Sequence, residues 1–253
     1  MKSFILSLLS LAVALAVIPW DLHALDLQIG EKFTYQLKYG LIKAGISTME
    51  VQDIETVRGH TTYRLHSRTR SNNFVDTFYR VRDSITSWID TSSIATVQFE
   101  KSLNEGKYQK DYHVWFDYDN MRAISSDTTF SIESQMQDVL SLFYYIRSFD
   151  ISVGDTIRMS NFDNDKISPF WISVVKEEQV KVPAGTYTCL VVEPFVESDF
   201  LFKYEGNLKI WFTKDERSLP VLMKSKALFG SMILRMTSYD PGNTDDTART
   251  GGL

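Results

Sequence analysis

Apolar and polar residues alternate with a period of two along most of the chain. From Phe33 to Tyr39 the odd positions are aromatic or aliphatic and the even positions are polar. The alternation recurs clearly at 108–117, 208–212 and 232–236, and more weakly at 61–70, 78–90, 96–103, 170–182 and 187–195. Because successive side chains of a strand point to opposite faces, each stretch predicts a strand with one buried face.

Short turn sequences separate these stretches, at 104–106, 117–120, 183–185 and 205–207. This spacing predicts antiparallel hairpins that follow one another as a meander. A long antiparallel sheet must bury its inner face by curling into a barrel, by forming a sandwich or by packing a helix into its concave side. We expect a mainly β fold, an antiparallel meander that forms a barrel or curved half-barrel with one amphipathic helix packed against or into it.

One segment has helical spacing instead of strand spacing. Its apolar residues recur at three and four, and the residues 134–137 fit a capping box ahead of them. The apolar positions are Met136, Val139, Leu140, Phe143 and Ile146. The sequence therefore predicts a single helix in the mature chain, beginning near Ser134.

The first 24 residues have the layout of a secretory signal peptide, with Lys2, an apolar run over 4–18 and a small residue at Ala24. The apolar run is shorter than the roughly 20 residues needed to span a bilayer. We expect cleavage after Ala24, a periplasmic or secreted location, and no transmembrane span in the mature chain. The expected organisation is a signal peptide at 1–24, a single β-rich domain at 25–241 and a disordered polar tail at 242–253.

Composition narrows the classes of function. The chain has 253 residues, of which 43% are hydrophobic, and a formal net charge of −5. Such a chain can bury a core, which excludes disorder over most of its length, and its acidity argues against nucleic-acid binding. The lone Cys189 cannot form an internal disulfide and lies in a strand-like run, so we expect a small buried apolar residue.

No motif in the sequence indicates a reaction, and we expect no cofactor and no metal. His60 and His66 lie too far apart for a local metal pair, and His113 is expected to face solvent on its strand. The acidic segments 117–120 and 163–165 lack the glycine and glutamate of an EF-hand loop, so we interpret them as hairpin turns. Asp76, Asp83 and Asp90 recur at intervals of seven, which places neighbours on opposite strand faces and argues against a shared acid/base site.

Several stretches together resemble a family of exported bacterial proteins known as domain of unknown function 3108 (DUF3108). They are GEKFTY at 30–35, YGLIKAG at 39–45, FYRVRD at 78–83, EGKY at 105–108, QDVLSLFYYIR at 137–147, VPAGTY at 182–187, LKIWFT at 208–213 and LPV at 219–221. One departure is Ser134-Gln135, where the family pattern has a lead-in that contains proline. The resemblance implies a largely β envelope protein, and it implies no activity and no catalytic residues.

Two functions of different classes remain open. The first is a non-enzymatic carrier or binding protein for a lipid-like or other apolar envelope molecule, because a curved sheet has more apolar lining than one helix can cover. The expected lining residues are Phe33, Tyr35, Leu37, Tyr39, Tyr112, Val114, Phe116, Leu208, Ile210 and Phe212. The alternative is a protein-interaction module of an outer-membrane or cell-wall assembly, with Trp88, Trp115 and Trp211 as contact residues. A hydrolase acting through Asp83 or Asp90 is the least favoured interpretation.

Overall fold

The computed structural model describes residues 26–126, 128–195, 208–227 and 230–243. The predicted signal peptide and its cleavage site lie outside the described residues. The same holds for the predicted turn at 205–207 and for residues 244–253 of the predicted tail.

Fifteen strands and two short helices make up the described part of the chain. The helices are α1 (Asn73–Asp76) and α2 (Ser141–Arg147). The strands are β1 (Glu31–Tyr39), β2 (Ile42–Val57), β3 (His60–Ser71), β4 (Arg82–Asp90), β5 (Thr96–Glu105), β6 (Tyr108–Asp117), β7 (Arg122–Ser125), β8 (Thr128–Ser131), β9 (Met136–Gln137), β10 (Thr156–Asp163), β11 (Lys166–Val182), β12 (Gly185–Phe195), β13 (Leu208–Thr213), β14 (Pro220–Ala227) and β15 (Gly230–Pro241).

All fifteen strands belong to one sheet, in the order β8-β7-β6-β5-β4-β3-β2-β1-β15-β14-β13-β12-β11-β10-β9. Neighbours in the sheet are also neighbours in the chain, except that the first strand, β1, pairs with the last, β15. The pairs are antiparallel apart from the short parallel pair of β9 and β10. The expected antiparallel meander is therefore confirmed.

The sheet curves without closing into a barrel. β8 and β9 are its two edges, and side chains rather than a backbone ladder connect the two sides. The rings of Phe116 and Phe162 lie 5.6 Å apart edge to face, and Lys101 Nζ lies 2.5 Å from Asp163 Oδ1. Tyr112 donates its hydroxyl to Asp165 over 3.1 Å. Of the two forms expected, the structure has the curved half-barrel.

The four clear alternations all fall in strands, β1, β6, β13 and β15. The alternation misses β2 because a register shift between Val51 and Asp53 breaks its period, and because Ile46 is exposed on the polar side. The strand predicted from the weak alternation at 78–90 is wrong over its first residues. The strand β4 begins only at Arg82, and Phe78 lies in the connection after α1.

The predicted helix start is also wrong. Met136 forms part of β9, where it is buried beside the core strands, and α2 begins only at Ser141. The capping box does not form. Instead, the carboxylate of Asp138 accepts hydrogen bonds from the backbone N–H of Leu140 at 2.7 Å and of Ser141 at 3.0 Å. The apolar spacing of residues 136–146 therefore combines a strand and a helix that bury their side chains in the same interior.

The inner face of the half-barrel holds two core clusters. The large cluster joins β1–β4, the strands β10–β15 and α2, and the small cluster joins β5, β6, β7, β9 and β10. In the described ranges, no helix has the length and apolarity needed to cross a membrane.

Candidate functional site

The ten residues predicted to line a ligand cavity lie mostly in packed core. Eight are buried, whereas Tyr39 is exposed and Leu208 is half-buried. Seven of the buried residues belong to the two clusters, with Phe33, Tyr35, Ile210 and Phe212 in the large one and Tyr112, Val114 and Phe116 in the small one.

Contacts within the core explain why this inner face is filled. The ring of Phe33 lies 5.1 Å from that of Tyr239 and under the guanidinium of Arg147. Tyr35 donates its hydroxyl to the carbonyl oxygen of Pro220 over 2.8 Å. A ligand at the inner face would have to displace such contacts, and the role of these ten residues as ligand lining stays a prediction.

A groove with basic lining lies on the opposite, outer face of β1, β2 and β3. Gln36 pairs with Ile46, Ile46 with Arg70, and Arg70 with Arg82. Directly paired residues of neighbouring strands share a face, so these four side chains form one row across the sheet. The connection that contains α1 forms the wall of the groove, because Asn72 Nδ2 donates to the carbonyl oxygen of Lys43 over 2.6 Å.

The groove has a volume of about 770 Å³. Its lining residues are Thr34, Tyr35, Gln36, Lys43, Gly45, Ile46, Arg70, Ser71, Asn72, Asn73, Phe74, Arg82 and Thr237. None of them is acidic, although the whole chain carries a net charge of −5. The lining thus combines three cations with the exposed apolar side chains of Ile46 and Phe74.

Gly45 allows the two strands at the floor of the groove to approach closely. A Cβ atom at this position would lie 2.1 Å from the carbonyl oxygen of Arg70, which is backbone and cannot rotate away. The glycine is therefore required by the close pairing of β2 with β3 beneath the groove.

The three cations of the groove differ in how they are paired. Arg82 binds Asp76, with Nη2 2.5 Å from Oδ2, and Asp76 also accepts a hydrogen bond from Ser71. The hydrogen bonds from Arg82 and Ser71 lower the pKa of Asp76. Among the described residues, Lys43 and Arg70 have no acidic partner within salt-bridge distance. These two side chains are the ones available to an anion.

A smaller groove of about 210 Å³ continues from the first and shares Ile46 and Arg70 with it. It contains His66 and Arg68, which follow Arg64 and precede Arg70 on the outer face of β3. Burial, and the nearby Arg68, lower the pKa of His66 below its ordinary value. The ring atom Nε2 of His66 is buried without a hydrogen-bond partner in the described structure.

The apolar alternation in the sequence did not predict these two grooves, although one other signal was available. Basic residues occupy alternate positions at Arg64, His66, Arg68 and Arg70, which places them on one face of a strand. The apolar residues of β3 indicate its buried face, whereas these basic residues lie on its polar face. The wall formed by α1 had no comparable signal, since α1 has only four residues.

The other candidate residues have structural partners. His60 Nδ1 lies 3.0 Å from Asp90 Oδ2, and the nearby Ser92 and Ser93 donate to Asp90. Burial opposes ionisation of Asp90, but these hydrogen bonds outweigh it and lower its pKa to about 2. Asp83 accepts from the backbone N–H of Asn104 over 2.9 Å. Within the described chain, no group of histidine, cysteine and acidic residues is arranged to hold a metal ion.

Other predictions about single residues have clear outcomes. Cys189 is fully buried, as expected, and burial raises the pKa of its thiol to about 12. The acidic segments 117–120 and 163–165 are the turns between β6 and β7 and between β10 and β11, as expected.

The three tryptophans do not form one surface. Trp88 and Trp115 flank Gln98 on the outer face of β4, β5 and β6, and Trp211 is buried in the large cluster. Trp88 Nε1 donates to Glu55 over 2.5 Å, and the guanidinium of Arg58 lies 3.7 Å from the ring centroid of Trp115.

The protein is an open, curved antiparallel half-barrel. Helix α2 packs on its inner face, and the groove with basic lining lies on its outer face. A solved structure with this architecture is a β-barrel-like protein of domain of unknown function DUF1849 from Brucella abortus, at 12% sequence identity and a TM-score of 0.59. The match covers 85% of this chain and 98% of that protein. At this identity the likeness concerns the fold alone.

The chain belongs to the family described as Protein of unknown function (DUF3108), whose sequence profile matches residues 34–237. The resemblance seen in the sequence is therefore confirmed. A DUF1089 family protein from Pseudomonas aeruginosa is also similar, at 9% identity and a TM-score of 0.43, over 76% of this chain and 94% of that one. No curated protein matches the chain at a significant level.

Proposed function

We propose that this protein is a non-enzymatic carrier or binding protein of the bacterial envelope, and that it takes an amphipathic, lipid-like molecule with an anionic head group. The observation that carries the proposal is the outer-face groove, whose lining has three cations and no carboxylate. The leader-like sequence at 1–24 supports an exported location.

The groove offers both kinds of contact that an amphipathic anion needs. Arg70 and Lys43 lack acidic partners in the described structure, and an arginine can donate two parallel hydrogen bonds to a phosphate or carboxylate. Ile46 and Phe74 present exposed apolar surface a short distance away. The volume of about 770 Å³ lies within the range of small-molecule sites.

The inner-face residues predicted from the sequence are a second location for the apolar part of a ligand. β5–β7 and β10 meet there through side chains, such as Lys101 with Asp163, without a backbone ladder between them. Separation of these two sides would give access to the small core cluster. The groove does not require such a movement, and it is the location that we favour.

The groove proposal predicts a specific loss of binding. We expect the double variant Lys43→Gln/Arg70→Gln to bind a dansyl-labelled fatty acid roughly tenfold more weakly than the unchanged protein, because two charge-assisted hydrogen bonds are lost. Fluorescence titration measures the affinity. The matched control is Arg122→Gln/Lys166→Gln, which removes two exposed cations outside the groove and should leave binding unchanged. Equal losses in both variants would contradict a site in the groove.

A natural ligand can be sought directly by native mass spectrometry. Protein purified from its envelope without detergent should carry a stoichiometric adduct, and organic extraction should release a lipid-like molecule with an acidic head group. The Lys43→Gln/Arg70→Gln variant should carry less of it. A bare protein mass, together with no affinity for the fatty acid, would contradict the carrier function.

The alternative function is an interaction module of an outer-membrane or cell-wall assembly without a small ligand. The pair Trp88 and Trp115 on the outer face supports it, whereas Trp211 is buried and cannot contribute. Cross-linking in intact cells, compared between the unchanged protein and Trp88→Ala, tests this module. If the variant no longer cross-links to a partner of the unchanged protein, and native mass spectrometry shows a bare protein mass, the interaction module is favoured over the carrier.

A further inference from the structure

One end of the half-barrel is unusually apolar. In the meander, the β1–β2, β3–β4 and β5–β6 connections and the start of β15 lie at this end, because alternate turns of antiparallel strands lie on the same side. Exposed apolar side chains come from all four regions, and we call this set the apolar end: Tyr39, Leu41, Ile42, Phe74, Phe78, Tyr79, Tyr108 and Met232. They are eight of the fifteen large apolar residues that are exposed in the described part of the chain.

Backbone and ring contacts hold these regions together. The β3–β4 connection is tied to β2 through Asn72, and Gly106 donates its N–H to the carbonyl oxygen of Arg80 over 2.7 Å. Tyr39 pairs directly with Met232 across β1 and β15. The apolar end is therefore a built surface rather than a set of independent loops.

Two side chains at this end are the most exposed of the large apolar residues in the described chain. Leu41, at the tip of the β1–β2 hairpin, is 94% exposed, and Phe78 is 77% exposed with its ring 5.8 Å from that of Phe74. A group of exposed apolar side chains on one surface is typical of a contact site for a protein or a membrane.

The charges around the apolar end identify the partner. Lys38, Lys43, Arg80 and Lys107 lie on the same connections or at the adjoining strand ends, and none of them has a salt bridge within the described residues. Of the acidic residues at this end, Asp76 is bound to Arg82, and Asp83 and Glu105 lie beside each other near Tyr79. The four cations without salt bridges therefore outnumber these two carboxylates. Cations around exposed aromatic and aliphatic side chains complement a surface with anionic phosphates over an apolar layer.

We propose that the apolar end docks on the surface of a bilayer that contains anionic phospholipids. Leu41, Ile42 and Phe78 enter the boundary between head groups and acyl chains, and the surrounding lysine and arginine side chains contact the phosphates. This docking does not depend on the carrier function, although it would bring the outer-face groove, which shares Phe74, next to the lipid.

Vesicle sedimentation tests the proposal with the exported full chain, after its intact mass has shown whether residues 1–24 are absent. Vesicles of equal parts phosphatidylglycerol and phosphatidylcholine are compared with vesicles of phosphatidylcholine alone. We expect binding to the anionic vesicles that weakens as salt is added, because exposed charges are screened. The variant Leu41→Ser/Phe78→Ser should bind about tenfold more weakly, since it loses the apolar contacts without a change of charge.

The matched control is Met121→Ser/Val153→Ser, which removes two exposed apolar side chains away from the apolar end. It should bind vesicles like the unchanged protein. Circular dichroism and urea unfolding check that both variants are folded. Equal losses in the two variants, or no sedimentation of the unchanged protein with anionic vesicles, would overturn the proposal.

Two further measurements distinguish bilayer docking from self-association and from ligand binding in the groove. Size-exclusion chromatography detects self-association. If the unchanged protein is a dimer that does not bind vesicles, and the Leu41→Ser/Phe78→Ser variant is a monomer, the apolar end contacts a second copy of the chain. Fatty-acid titration should give the same affinity for this variant as for the unchanged protein. Failure of docking and failure of the carrier function are therefore distinguishable.

Discussion

Replacing Arg147 by methionine should destabilise the protein by about 3–5 kcal/mol, the cost of leaving one member of a buried ion pair without its partner. The side chains of Arg147 and Glu31 are only 6% and 4% exposed. They form two hydrogen bonds, at 2.7 Å and 3.1 Å. Without the guanidinium, the one hydrogen bond left to the Glu31 carboxylate among the described residues would be that from the hydroxyl of Tyr239, at 3.0 Å.

A double variant separates the loss of the ion pair from a simple loss of packing at Arg147. The double variant Glu31→Gln/Arg147→Met removes both charges, so it should recover part of the stability that Arg147→Met loses. Lys214→Met is the control, because its ion pair with Glu177 is 55% and 41% exposed and should contribute less than about 1 kcal/mol. Urea unfolding measures all four proteins. A loss in Arg147→Met no larger than in Lys214→Met would show that the buried pair does not anchor α2 to β1.

Replacing Asp138 by alanine should cost about 3–4 kcal/mol, since several buried donors would lose their acceptor. Besides the two N–H groups at the start of α2, the hydroxyls of Ser87 and Thr96 donate to Asp138 at 2.5 Å and 2.7 Å. Asp138→Asn keeps an acceptor of the same shape and should change stability by no more than about 1 kcal/mol at neutral pH. Thermal or urea unfolding compares the two variants, and equal losses would contradict the role of Asp138 as an acceptor.

The same residue predicts a pH dependence. Burial raises the pKa of Asp138 above its ordinary value of 3.8, and the hydrogen bonds from Ser87, Ser141, Thr96 and Leu140 only partly oppose this. The folded protein then holds the proton more tightly than the unfolded chain. The contribution of this group to stability is complete below pH 3.8 and is lost as the pH rises through the folded-state pKa. Relative to Asp138→Asn, the unchanged protein should therefore lose stability as the pH is raised from about 4 towards 7, and a constant difference would contradict the raised pKa.

These two residues explain how one short helix keeps its place on a sheet that does not close. Asp138 binds the start of α2 to β4 and β5, and Arg147 binds its end to β1. The two contacts lie on separate strands of the half-barrel. We expect α2 to set the curvature of the sheet, because it connects strands that are not neighbours in the ladder.

The local pattern of apolar residues predicts the structure correctly where it reports directly on burial. The alternation runs through Phe33, Tyr35 and Leu37 of β1 and through Tyr112, Val114 and Phe116 of β6, and these residues are buried as predicted. It failed where burial depends on distant parts of the chain. Met136 looks helical from its spacing to Val139 and Leu140, but its pairing with Ser160 of β10 makes it a strand residue. No local pattern could reveal that partner.

The candidate site shows the same division. The four basic positions of β3 are visible in the sequence, and their shared face follows from the period of two. The groove itself is not visible. It requires β1 beside β2, the close pairing at Gly45 and the α1 connection as a wall. The last two join β2 to the end of β3 and to the connection that follows it, which are distant in the chain.

The sequence by itself determined the class of fold and the family, because strand alternation and family motifs are properties of short stretches. Only the tertiary structure decided that the half-barrel stays open, that the predicted lining is mostly packed core, and that the exposed cations lie on the outer face and at the apolar end. The physical reason is that burial and charge pairing depend on which strands become neighbours. In this chain that arrangement is set by the pairing of β1 with β15 and by the helix that packs inside the curve.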